Sequence, residues 1–335
     1  MPSDPPLLAI VPKRDVDAAI EHFKADGSYD ADRRIREADP DTVAIPVSRE
    51  PSAYALSVTP DRRPDWRVRD LDDLLRARGV PRHVREQAPG SWSVIGSIVL
   101  GRFDDCPQEA TIGEALLELH GAETVLSLEG ITGEHREPSV RVIAGSGATH
   151  TIHIEDGTIY ELDLAAVMFS PGNHAERRRM GELVGSEEVV FDMFAGIGYF
   201  TLPMARAGAH VIATERNPAA YRYLCANIEH NGVEHAVDAY RADCRAIRPH
   251  ADRVVMGHYD AYQYLPAAVE GLRDGGVLHV HALTPVDDPW SEPIEHITRA
   301  VGERSVQVLD RHPVKTHSPG LQHVVVDALL GDRSD

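Results

Sequence analysis

Asp192-Met193-Phe194-Ala195-Gly196-Ile197-Gly198-Tyr199-Phe200 runs directly out of the apolar stretch Val189-Val190-Phe191. Residue types in that order can bind a nucleoside. A buried strand ends at Asp192, and a glycine turn leads into a helical stretch from Thr201 to Ala207. Glycine at such a turn lets backbone approach a ligand closely at the carboxyl end of a parallel strand. A second strand, His210 to Thr214, ends in Glu215, and a third, Ala236 to Tyr240, is followed by Asp243. An acidic residue closing the second strand is the usual acceptor for a pair of ribose hydroxyls. Two cofactor classes fit, a dinucleotide and S-adenosylmethionine. The dinucleotide fingerprint wants a third small residue where Thr201 stands, with the bulky Tyr199 and Phe200 before it. S-adenosylmethionine has no pyrophosphate to cradle. Asp192, which would repel a phosphate, suits its cationic amino group. S-adenosylmethionine is therefore the expectation, with Asp243 set to accept from the adenine amino group. Cys244 either lines the same pocket or packs as a small apolar residue.

The elements that must position these groups alternate strand and helix from Phe169 onward. Strands are expected at Arg253 to Met256, Val277 to Ala282, Val306 to Leu309 and His323 to Leu329, with helices at Ala261 to Leu272 and Ser291 to Val301. Such alternation means a parallel sheet covered on both faces, and the closing strand pair, with no helix between its members, makes one edge antiparallel. Upstream, Leu7 to Val11, a helix from Asp15 to Ala25 and Thr42 to Val47 form a small α/β unit. Arg49 to Pro64, rich in Pro, Ser and Arg, reads as a linker. A helix from Leu71 to Arg78, a strand from Trp92 to Leu100 and a helix from Ile112 to Leu119 follow. Val140 to Ala144, Thr149 to Glu155 and Thr158 to Asp163 are sheet-like, the last two joined by a turn at Asp156-Gly157. Three divisions result: residues 1–60, a middle α+β domain at 61–165, and a cofactor domain at 166–335.

A chain of 335 residues with 42% hydrophobic content can bury sizeable cores. No apolar run approaches the ~20 residues of a membrane span, and residues 1–12 lack the pattern of a secretory signal. A cytoplasmic protein is expected. Cys106, Cys225 and Cys244 are the only cysteines and are widely spaced, which indicates neither a disulfide framework nor a zinc site. The net charge of −19 would argue against nucleic acid, yet Lys13, Lys24 and Lys315 are the only lysines and the acidic residues are spread evenly. That composition reads as a halophilic surface. At molar salt the Debye length falls to ~3 Å, so global repulsion from phosphates is screened and charge does not decide the partner.

Phe169-Ser170-Pro171-Gly172-Asn173-His174-Ala175-Glu176-Arg177 precedes the cofactor motif. Together with the Asp192 to Phe200 motif, Glu215-Arg216-Asn217-Pro218 and Asn227 to Asn231, it resembles one group of archaeal and eukaryotic tRNA-modifying enzymes. That group comprises the tRNA guanine N1-methyltransferase acting just 3′ of the anticodon and its paralogue in wybutosine synthesis. The resemblance covers nearly the whole chain, including Val11-Pro12-Lys13 and Ile45-Pro46-Val47. It implies a class I methyltransferase-like (Rossmann-like) domain with a seven-stranded, mostly parallel sheet, preceded by smaller α+β units. After the fourth strand the methyltransferase typically has Asn-Leu-Pro. This chain has Met256-Gly257-His258-Tyr259, which resembles the branch that transfers the 3-amino-3-carboxypropyl group of S-adenosylmethionine to C7 of a wyosine base. Val280-His281-Ala282 and the stretch Ser318 to Asp327 lean the same way.

The resemblance thus implies an aminocarboxypropyltransferase acting on the anticodon loop of tRNA-Phe; a monomer without a metal is the expectation. The alternative is the guanine N1-methyltransferase. Implied cofactor contacts are Ser170, Arg177, Asp192, Phe194, Ala195, Gly196, Gly198, Glu215, Arg216, Asp243 and Cys244. Gly257, His258 and Tyr259 lie near the acceptor base, and no catalytic base is assigned. Arg177 is the candidate for the methionine carboxylate, since a guanidinium matches it as a bidentate fork. Plainer roles exist for several of these. Arg177 lies in an arginine run that can be a solvated helix face, Ser170 and Glu215 can serve helix starts, and Asp192 can bond turn amides. His279, His281, His317 and His323 read as core or surface histidines. Tyr199, Phe169, Tyr259 and Trp290 are expected near the mouth, where an extruded base would stack.

Overall fold

The computed structural model describes residues 6–331, which divide into two compact units. The chain up to Ala88, with Asp105–Leu119, forms the first. Pro89–Asp104 and everything from His120 onward form the second. Residues 61–88 cluster with the amino-terminal unit.

In the first unit an antiparallel sheet has the order Arg36–Glu37, Thr42–Val47, Leu7–Pro12, Ser57–Pro60. The helix Val16–Ala25 packs Ala19 and Phe23 onto Ala9, Val11, Ile45 and Val47 of that sheet. Arg33 is wholly buried, and its guanidinium reaches Asp30 (2.8 Å), Asp61 (2.9 Å) and the carbonyls of Leu7 and Val47. A buried cation is tolerated only with such full pairing. The stretch expected to be a linker holds the edge strand Ser57–Pro60. Its residues are mostly exposed and pair on one side only, so its polar, Pro-rich composition looks like a loop.

The second unit opens with a sheet in the order Trp92–Ile95, Ile98–Gly101, Thr124–Thr132, Glu137–Gly145. The expected continuous strand from Trp92 to Leu100 is a hairpin. Gly96 takes φ +55°, and a Cβ there would lie 2.4 Å from the carbonyl oxygen of Ile152, so only glycine can make this turn. His150–Glu155 and Thr158–Asp163 pair across Asp156 (φ +48°) and Gly157 (φ +75°), the two positive φ values that a tight hairpin needs.

The large sheet carries seven strands: β1 (Val189–Asp192), β2 (His210–Thr214), β3 (Val237–Tyr240), β4 (Ala251–Met256), β5 (Leu272–Pro285), β6 (Val306–Ser318) and β7 (Leu321–Leu330). Their order is β3-β2-β1-β4-β5-β7-β6. The first five run parallel and β7 is antiparallel to both β5 and β6. Helices α1 (His174–Leu183), α2 (Thr201–Arg206), α3 (Pro218–His230), α4 (Leu265–Gly271) and α5 (Ser291–Val301) belong to the same unit. Val190, Phe191, Val211, Val254, Val255, Leu278 and Val280 are wholly buried, as expected for a sheet covered on both faces. Strand order reverses between β1 and β4. In open α/β sheets that switch point opens a crevice at the carboxyl ends of the strands.

Candidate functional site

A cavity of about 430 Å³ lies at that switch point, entirely within the second unit. The turn after β1 forms its floor. Gly196 (φ +59°) and Gly198 (φ +104°) hold backbone that an L side chain resists, and a Cβ on Gly196 would sit 2.6 Å from the Tyr199 ring. Glu215, at the end of β2, accepts from the backbone N–H of Gly196 (2.8 Å) and of Asn217 (2.6 Å). Two amides thus aim one carboxylate into the cavity. Burial raises its pKa, while those donors favour the charged form. Asn217 caps α3 through Ala219 N–H (2.9 Å), so the residue after next fixes where the helix begins.

Asp243 follows β3 and borders the cavity. Arg245 grips it as a fork (2.9 and 2.6 Å), which lowers its pKa to about 2. Cys244 lies beside it, 4% exposed, and burial pushes its thiol up to about 12, so it contributes shape rather than nucleophilicity. Phe194 stacks edge-on against Tyr264 (5.1 Å) and tilts over His258 (5.3 Å). His258 accepts from the Asp260 N–H (3.1 Å), and burial lowers its pKa, which keeps the ring neutral at pH 7.

Of the residues expected at the site, Ser170, Arg177, Phe194, Gly196, Glu215 and Arg216 line the cavity. So do Asp243, Cys244, Gly257, His258 and Tyr259. Asp192 lies behind this surface. It is wholly buried, accepting from Thr201 Oγ1 (2.7 Å) and Phe194 N–H (3.3 Å), and burial raises its pKa to about 6. Ala195 and Gly198 shape the turn from within. Arg177 is 3% exposed: Nε and Nη2 fork Glu155 at 2.7 Å each, and Nη1 donates to the Ser170 carbonyl (2.9 Å). Burial disfavours the Glu155 carboxylate, but His153 and Arg177 outweigh it and hold its pKa down. Tyr199 and Tyr259 reach the cavity wall, whereas Phe169 is buried against Tyr160 (5.9 Å) and Tyr199 (5.7 Å). Trp290 lies over Arg311 (5.7 Å), away from that wall.

Several wall residues escaped the sequence reading. Arg136 (φ +53°) closes a turn with Gly133, Glu134 and His135 on one side of the cavity. Among the described residues its guanidinium reaches the Met168 sulfur (3.5 Å) and the Tyr259 ring (5.7 Å). Lys315, on β6, stands behind the wall and reaches it through Ser170 Oγ, to which it donates (2.6 Å). The scarcity of lysine in this chain was the one available signal for it. The core histidines are explained locally. His279 bonds Asp327 (2.5 Å) and Arg253 (2.5 Å), and His281 bonds His323 (2.9 Å).

The backbone at Gly196, the diol-acceptor geometry of Glu215 and the apolar wall at Phe194 fit an adenosine-bearing ligand of S-adenosylmethionine type. Comparison with known proteins agrees. Residues 151–309 match the TRM5/TYW2 methyltransferase domain, and residues 71–149 match the TYW2 N-terminal domain. The chain is similar to the Pyrococcus horikoshii tRNA(Phe) (4-demethylwyosine(37)-C(7)) aminocarboxypropyltransferase, 37% identical over 76% of this chain and 94% of that protein. The crystal structure of P. horikoshii TYW2 with MeSAdo superposes with a TM-score of 0.68 at 34% identity, covering 78% of this chain and 98% of that one. Wild-type Trm5b from Pyrococcus abyssi superposes with a TM-score of 0.77 at 29% identity, covering 97% of this chain and 99% of that one.

Proposed function

The chain belongs to the TRM5/TYW2 methyltransferase family, and we propose from that premise that it transfers the 3-amino-3-carboxypropyl group of S-adenosylmethionine to C7 of 4-demethylwyosine at position 37 of tRNA(Phe). S-adenosylmethionine supplies an electron-poor carbon beside a sulfonium. In the step, the C7–Cγ bond forms, the Cγ–S bond breaks, the sulfur leaves as neutral 5′-methylthioadenosine, and the C7 proton departs to solvent. The protein's part is orientation. Holding reacting atoms in near-attack geometry is worth up to ~7–11 kcal/mol.

Glu215 binds the ribose hydroxyls with the two lone pairs its amide donors leave free. Asp243, held still by Arg245, accepts from the adenine amino group, with Cys244 against the ring. His258 and Tyr259 face the incoming base, which leaves the anticodon-loop stack to reach them. The nucleophile is an electron-rich heteroaromatic carbon, and the neutral His258 need not act as its base.

One observation carries the choice over the guanine N1-methyltransferase. Gly257 backs onto Phe200, whose ring would lie 2.6 Å from a Cβ there. The position where the methyltransferase places a polar asparagine is thus closed to a side chain by an aromatic ring, which supports the aminocarboxypropyl reading. The reading takes the enzyme as a cytoplasmic monomer with a halophilic surface. Mass spectrometry of parallel reactions, one with tRNA(Phe) carrying 4-demethylwyosine and one with tRNA(Phe) carrying unmodified guanosine at position 37, tests it: 5′-methylthioadenosine should accumulate in the first and no product in the second. S-adenosylhomocysteine together with 1-methylguanosine would overturn it.

A further inference from the structure

Three cations meet around Ser170 with one carboxylate between them. Arg177 is neutralised by Glu155. Arg136 and Lys315 have no carboxylate partner among the described residues, their polar contacts being the Met168 sulfur and the Ser170 hydroxyl. Lys315 is held in this position by construction. It sits on β6 at a register shift between Pro313 and Lys315, the kind of bulge that re-aims a side chain. Gly172 makes room for its stem, since a Cβ there would lie 2.9 Å from Lys315 Cδ and 3.3 Å from Nζ. Desolvation, with Arg177 and Arg136 adding repulsion, lowers its pKa. A half-buried ammonium flanked by positive charge and bonded to one neutral hydroxyl calls for an anion. Ser170 lines the cavity, and with Lys315 donating to its oxygen, its own proton is free to donate into that cavity.

We propose that Lys315, with the Ser170 hydroxyl it holds, is the grip on the carboxylate of the S-adenosylmethionine amino-acid arm, and so a positioning residue that sets which sulfonium carbon faces the acceptor. The inference rests on the transferase reading for the identity of the ligand. It shifts the carboxylate contact from Arg177, whose fork is engaged, to a charge with no counter-ion. A chain of two hydrogen bonds, ammonium to hydroxyl to carboxylate, strengthens each member.

Affinities of S-adenosylmethionine and of 5′-methylthioadenosine, which lacks the carboxylate, separate this role from a structural one. Both are measured by calorimetry at high salt on the full chain and on Lys315→Met, Lys315→Gln and Lys315→Arg. The first two variants should weaken S-adenosylmethionine about ten- to hundredfold, the range for a charged hydrogen bond, and leave 5′-methylthioadenosine within about twofold. Lys315→Arg should recover most of the loss. Equal loss of both ligands in Lys315→Met and Lys315→Gln, or unchanged S-adenosylmethionine affinity in either, overturns the proposal. No tRNA enters these measurements, so they stand whether the group transferred proves to be carboxypropyl or methyl.

Discussion

Replacing Glu215 by glutamine probes the site where the geometry is tightest. Each carboxylate oxygen accepts one backbone N–H, from Gly196 at 2.8 Å and Asn217 at 2.6 Å, and keeps one lone pair for a ribose hydroxyl. Glutamine presents an oxygen at one end and an NH₂ at the other. The NH₂ end faces an amide donor it cannot satisfy and can only donate to the ribose hydroxyl, while the oxygen end keeps a neutral bond in place of a charged one. A charge-assisted bond is worth about 1.5–3 kcal/mol and a neutral one about 0.5–1.5, so the net loss is about 2–4 kcal/mol. That corresponds to roughly 30- to 700-fold in affinity. Calorimetric titration should show the same loss for S-adenosylmethionine and 5′-methylthioadenosine, because both carry the ribose. A variant binding either ligand within threefold of the parent would refute the reasoning, and so would a loss confined to one of them.

Asp192 is wholly buried with its pKa raised to about 6 from a model-peptide value near 4. A raised carboxyl pKa means that the folded state holds its proton more tightly, so this contribution to stability is full below about pH 4 and fades as pH rises through about 6. Asp192→Asn should therefore equal or exceed the parent by up to about 3 kcal/mol at pH 7.5 and show no such advantage at pH 4, in denaturant melts at both values. Asp327 accepts from His279 (2.5 Å) and pairs with Arg179, which keeps Glu176 and Asp310 as further partners, so Asp327→Ala strands one buried donor, His279, and should cost about 1–3 kcal/mol in the same melts. Gly257→Asn places new atoms where Phe200 stands, 2.6 Å away. It should lower stability by about 1–3 kcal/mol and slow transfer without creating methyltransferase activity, and adding Phe200→Ala should restore the fold in part.

The cofactor end of the fold is legible because its signals are local. β1 ends in a glycine turn within nine residues of sequence, and β2 ends in the acidic residue that its own chain delivers. The antiparallel edge also follows from local signals, two strands with no helix between them. What stayed hidden depends on distant pairing. Ser57–Pro60 looks like a linker until Leu7–Pro12 lies beside it. Thr124–Thr132 is a short apolar run that gains its identity from neighbours on both sides. Trp92 to Leu100 has a strand's composition, and the turn at Gly96 appears only when His150–Glu155 crowds it. Within the site, Lys315 meets Ser170 across 145 residues through a bulge in β6, a contact that no spacing rule foresees. Arg177 shows the converse. Its place in the motif marks it as a ligand fork, and Glu155, on a hairpin 22 residues upstream, takes that fork in the folded chain.

The central claim is that this scaffold offers the γ-carbon of the amino-acid arm, and not the methyl, to the tRNA. Parallel reactions with S-adenosylmethionine labelled at the carboxyl carbon or at the methyl carbon decide it, read as label precipitated with 4-demethylwyosine-containing tRNA(Phe). Carboxyl label should enter the tRNA while methyl label leaves with 5′-methylthioadenosine. Methyl label in the tRNA would contradict the account.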